Sequence, residues 1–247
     1  MVPVLAAVLL LAVSGCGTKD PAADPTPTTS DTASDTASDT VSDNPTASET
    51  PTPTSTSTST ATTPGAPTAA PKPAALLLPA GELPGFDPTW DWSVRSTGAQ
   101  RGPLGVCQRF PMQTIGADKT LVRSFVPTGD QIGGTGAHLV STFVDDKSAS
   151  QAIAILQTFH DRCGERLMAL RHTTVGPVTT VPTAKGTATR YLVTYTEKGA
   201  SKPTFDDLGV LRSGSTVELV QLKLRGQTFP KPDPMTKALQ NAAARLP

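Results

Sequence analysis

Residues Ser141–Cys163 read STFVDDKSASQAIAILQTFHDRC: the end of a strand, an acidic break, then a helix. Ala149, Ala152, Leu156, Phe159 and Cys163 recur three and four residues apart with Ile153 beside them. That spacing predicts one apolar stripe on a helix from about Asp146 or Ser148 to Cys163. Ser148 and Gln151 have capping-box spacing, Asp146 is an alternative cap, and Gly164 stands where a terminating glycine is expected. A stripe of this kind needs a sheet to lie on, and it carries Cys163 inward at the far end of the helix.

The sheet is legible on both sides of this unit. Upstream, Lys119 to Val126 and Ala137 to Val144 alternate, with Leu121, Arg123 and Phe125, then Leu139, Ser141 and Phe143, on single faces. The link Pro127 to Gly136 is glycine-rich, but it lacks the Lys-Ser/Thr ending of a phosphate loop and joins two strands, so it reads as a hairpin loop. Trp92 to Ser96 is a further strand, and Gly105 to Arg109 a short turn or helix carrying Cys107. Downstream, after a linker of Thr, Val, Gly and Pro, Thr187 to Glu197, Leu208 to Arg212 and Thr216 to Arg225 form an antiparallel meander turning at Ser213-Gly214. A last helix from about Asp233 carries Met235, Ala238, Leu239, Ala242 and Leu246. Residues 74–247 therefore read as one α+β domain, an antiparallel β-sheet with packed helices.

Ahead of the sheet, LLLPAGELPG (Leu76–Gly85) is an apolar segment punctuated by Pro and Gly, read as a helical turn. Phe86, Trp90 and Trp92 follow in a chain that is only 4% aromatic. They are a candidate ligand or sugar platform or, in the favoured reading, a cap on the core.

Residues 16–73 change composition abruptly to Ser, Thr, Pro, Asp and Ala, with a Ser-Asp-Thr-Ala repeat through Asp43. So little apolar surface cannot offset chain entropy, so a disordered Ser/Thr/Pro-rich linker is expected, spanning roughly 45 Å as a flexible coil. It holds seven acids and two bases, leaving 14 acids and 19 bases, about +5, for the rest of a chain that is neutral overall. No basic stripe with interleaved aromatics points to nucleic acid.

Residues 1–15 end in Val13-Ser14-Gly15 before Cys16, after an apolar run from Val4 that is too short to span a bilayer. This ending resembles a bacterial lipobox, which makes Cys16 the lipidated N-terminus of a protein on the outer face of the membrane. An ordinary secretory signal with an incidental cysteine is the alternative, and no Lys or Arg precedes Cys16. Stable anchoring needs two or more acyl chains in membrane lipid.

Chemistry is sparse. Cys107 and Cys163 are the two cysteines left, and in an exported protein they are most simply a disulfide. His138, His160 and His172 show no metal spacing beyond a weak His160-x-x-Cys163 cue that the disulfide removes. Asp145-Asp146 at a helix start and Asp206-Asp207, read as a turn, are acidic pairs with structural explanations. No catalytic, metal or cofactor motif is found, and no ligand-binding residue can be assigned.

The order LLLPAGELPG, a Cys in a short turn, a strand with Arg-Ser-Phe, then STFVDDKSASQAIAILQTFHDRC and VELVQLKLRG before a terminal helix resembles the PknH-like extracellular sensor domains of actinobacteria, which also occur on lipoproteins. The resemblance covers about Leu76 to Leu246. It implies an antiparallel sheet with packed helices, a cleft and ligand sensing outside the cell. This chain has one pair of domain cysteines where that domain has two disulfides, and no kinase. The expected protein is a non-catalytic lipoprotein holding a cell-wall fragment, a small molecule or a partner, with a lipid or glycolipid carrier as the rival reading.

Overall fold

The computed structural model describes residues 72–129 and 133–247. The signal segment, Cys16, the spacer to residue 71 and three residues of the glycine-rich link lie outside the described residues.

The described strands are β1 (Trp92–Gly98), β2 (Lys119–Pro127), β3 (Gly134–Thr142), β4 (Arg171–Val175), β5 (Thr179–Val181), β6 (Thr187–Thr196), β7 (Thr204–Ser213) and β8 (Thr216–Arg225). They form one antiparallel sheet in the order β1-β2-β3-β8-β7-β6-β4, with β5 also on the outer edge of β6. Two meanders, β1-β2-β3 and β6-β7-β8, thus meet at β3 and β8, in register from Gly134 opposite Leu224 to Thr142 opposite Thr216. The short strands β4 and β5 arise from the stretch that composition marks as a linker. Their Thr and Val residues suit an edge that only half-buries its side chains.

Helices cover both faces. α2 (Asp146–Asp161) and α3 (Cys163–Arg166) lie on one, burying Ala149, Ala152, Leu156 and Cys163 against Leu139, Tyr191, Val193, Leu208, Val217 and Leu219. α4 (Pro234–Arg245) and the segment from α1 (Pro73–Leu76) through Trp92 lie on the other, against Phe125, Leu211, Val220, Leu222 and Leu224. α4 crosses β7 at Gly209, where a Cβ would stand 2.8 Å from both Leu239 Cδ2 and Met235 Sδ. A side chain there would have to displace the ends of both side chains that seat the helix on the sheet. With helices on both faces, β7 and β8 are buried on both sides.

Several details differ from the sequence reading. Asp145 caps α2, accepting the Ser148 N–H at 2.7 Å, in place of Asp146 or Ser148. The helix breaks at Arg162 and turns once more as α3, so Gly164 lies inside a helical turn and needs no left-handed φ. Asp206-Asp207 lies within β7 rather than in a turn, with both side chains buried. Neighbouring strand residues point to opposite faces, and each aspartate finds a partner on its own side. Asp206 accepts from Val106 N at 2.9 Å and Gln221 Nε2 at 2.7 Å, and Asp207 accepts from Arg190 Nη2 at 2.5 Å.

Candidate functional site

Cys107 and Cys163 are joined in a disulfide with Cα atoms 5.2 Å apart, tying the Gly105–Arg109 turn to the junction of α2 and α3. The turn reverses at Gly105 (φ 80°), whose Cα faces Leu208 so closely that a Cβ would come within 3.3 Å of its side chain. Asp206 then catches the Val106 N–H from the sheet, and Arg166 donates to the Val106 carbonyl from the rim. Both backbone groups of Val106 are thus committed, and the residues on either side of the cross-link are fixed.

This fixation brings three arginines to one groove. Arg109 leaves the turn two residues after Cys107, Arg162 immediately precedes Cys163, and Arg166 ends α3. With Thr158, Phe159 and Glu165 they line about 330 Å³. Arg109 lies over the half-exposed Phe110 ring at 5.4 Å, and Phe110 meets Phe159 edge-on at 6.0 Å. Burial, and then the charge of Arg109, hold the Arg166 guanidinium below its ordinary range. Among the described residues, none of the ion pairs involves Arg109, Arg162 or Arg166. The groove therefore presents cationic groups with no carboxylate at ion-pair distance, although Glu165 stands in the same lining.

A larger groove of about 690 Å³ opens at the start of α4, walled by Pro84, Pro88, Pro230 and Pro232. Its carboxylates serve the fold. Asp87 accepts from Thr89 N at 2.8 Å, while Asp233 caps α4 through Met235 N at 3.2 Å and pairs with Arg190. Phe86, Trp90 and Trp92 pack ring against ring beneath it, and Trp92 Nε1 donates to Pro84 O at 3.0 Å. All three are buried, so they cap the core and offer no open platform.

The sequence-read candidates separate in space. His160 contacts the Gly176 carbonyl through Nε2 at 2.9 Å and Asp161 through Nδ1 at 3.1 Å, while Cys163 is in the disulfide. His138 is buried on the α4 face against Glu218, and Asp146 pairs with Arg212. No cluster of three His, Cys, Asp or Glu side chains able to hold a metal occurs among the described residues. The three arginines escaped notice because no motif marks them. Their signal is adjacency: each arm of the cysteine pair carries arginine within three residues.

Buried Asp207 gives the fold a pH dependence. Burial pushes its carboxyl up to about 7, against the pull of Arg190. An unfolded aspartate titrates near ~4. Between these values the folded chain holds a proton that the unfolded chain has lost, so this group's stabilisation is complete below about pH 4 and is lost as pH rises to about 7. The amount is at most about 4 kcal/mol. Burial pushes Asp206 up as well, so chemical denaturation between pH 4 and 7 should show Asp207→Asn with a shallower downward slope than wild type; parallel curves would refute this.

No protein-family model, curated protein or solved structure matches the chain.

Proposed function

We propose that the chain is an extracytoplasmic lipoprotein, held to the outer face of the membrane through acylated Cys16, whose domain is a non-catalytic module that binds a ligand or partner. The observation that carries the binding reading is the groove beside the disulfide, where Arg109, Arg162 and Arg166 converge without an ion-pair partner. Arg166 gives one donor to the Val106 carbonyl, but three guanidinium groups without carboxylate partners repel one another, so their convergence makes sense as a recognition surface. Binding is favoured over catalysis because Glu165 is the single carboxylate in the groove and has no base beside it in the lining. Asp206 beneath the turn accepts two hydrogen bonds, and His160 is held by Gly176 and Asp161. A disulfide across the domain fits an oxidising compartment. A resemblance to PknH-like sensor domains points the same way.

The rival reading, a lipid carrier, asks for apolar residues on both sheet faces, and β7 and β8 have them. Helices fill both faces, however, and the space between α2 and β6-β7 amounts to about 20 Å³, room for about one water.

Cell fractionation tests the tether. Wild type should partition with membranes and have an intact mass showing an acylated N-terminus at Cys16, while Cys16→Ala should leave the membrane fraction or accumulate unprocessed. A variant retained in membranes with unchanged mass would rule out lipidation. Stoichiometric lipid in a solvent extract of the purified domain, beyond the anchor's own chains, would favour the carrier.

A further inference from the structure

We infer that the groove beside the disulfide is an anion site, and that its ligand carries a phosphate group next to an apolar or aromatic portion. The inference rests on reading this groove as the binding site and names the chemistry it selects. Arg109 and Arg162 supply planar donor forks from two chain segments, and such forks match the oxygens of a phosphate bidentately; Arg166, one of whose amino groups holds the Val106 carbonyl, adds its charge and remaining donors. Glu165 is the single carboxylate in the lining, so the groove holds a net excess of two positive charges. Arg166 is partly desolvated and crowded by Arg109, an arrangement that a bound anion relieves. Phe159 lines the same groove, and the half-exposed Phe110 adjoins it, so an apolar group beside the phosphate meets ring surface as well as charge. The polar wall is otherwise quiet, since Thr158 spends its hydroxyl on the Ala154 carbonyl at 3.0 Å.

The phosphate can belong to a soluble molecule or to a lipid headgroup, and one set of proteins distinguishes these sources. Full-length wild type and the Arg109→Gln, Arg162→Gln, Arg166→Gln triple variant are titrated with inorganic pyrophosphate at constant ionic strength, with binding read calorimetrically. Both are also sedimented with vesicles of phosphatidylcholine alone or with about one-third phosphatidylglycerol. The N-terminal anchor contributes equally to both proteins, so only the arginine-dependent increment counts. Saturable pyrophosphate binding that weakens at least about tenfold per arginine removed supports the anion site. A phosphatidylglycerol increment lost in the triple variant adds the headgroup as a source; without that increment, the source is soluble. Arg162→Gln alone guards against misfolding, because that side chain makes no ion pair in the domain. Absence of both pyrophosphate binding and the increment, or binding unchanged in the variants, overturns the inference. If cell-envelope material still protects the groove from amide exchange while pyrophosphate does not bind, the groove is the binding site and only the phosphate assignment falls.

Discussion

His138→Leu is expected to lower the stability of the domain by about 3–5 kcal/mol, a fall in melting temperature of roughly 10 °C for a domain of this size. His138 is fully buried in β3. Its Nδ1 accepts the Leu78 N–H at 3.0 Å, so the ring proton sits on Nε2 and is donated to Glu218 Oε2 at 3.0 Å. Removing the ring strands Glu218, whose other oxygen already has no hydrogen-bond partner among the described residues, and bares the Leu78 amide. Leu78 is held from its other side as well, because Arg123 Nη1 donates to its carbonyl at 2.8 Å. Arg245 in turn grips the carbonyls of Ala75 and Leu76 at 2.9 and 3.2 Å and pairs with Glu82 at 3.2 Å. This fastening lies at the start of the described residues. Exchange of backbone amides in residues 75–83 should therefore accelerate together with the loss of stability. His138→Leu combined with Glu218→Leu should recover part of the loss, because no polar side chain then remains unpaired. A single variant that melts within a degree of wild type would contradict the argument.

The second large effect is expected from Cys107→Ser combined with Cys163→Ser. The cross-link closes a loop of sequence separation 56. Releasing it should cost about 2–5 kcal/mol and roughly 5 °C or more in melting temperature. The disulfide also holds Arg109 beside Arg162 and Arg166, so the same variant should lose binding at the groove even well below its melting point. Differential scanning calorimetry and non-reducing peptide mapping check the first part, and ligand titration of the folded variant the second. Free maleimide labelling of both thiols in the native protein would show that the bond is not formed in solution.

Strand–helix–cysteine order, the β6-β7-β8 meander and α4 were readable because each rests on local periodicity. The α2 stripe lies on the sheet as its spacing demands, apart from the break at Arg162. Joining β3 to β8 was not readable, since that pairing is non-local and depends on which sheet edges are free. Asp206-Asp207 misled because paired aspartates favour turns, whereas here the Val106 amide, Gln221 and Arg190, distant in sequence, satisfy them inside a central strand. β4 and β5 were lost in a Thr-rich stretch whose edge strands bury too little to show a pattern. The arginine groove depends on the cysteine pairing. Once Cys107 and Cys163 are joined, Arg109 and Arg162 must be neighbours, but nothing local shows that their carboxylate partners are missing.

Amide hydrogen exchange of the full chain, with and without a cell-envelope extract, tests most directly whether the domain is a binding module acting through this groove. Slower exchange confined to residues 105–110 and 158–167 is the predicted result. No protection anywhere, or protection centred on residues 84–88 and 230–240 at the proline-walled groove, would contradict it.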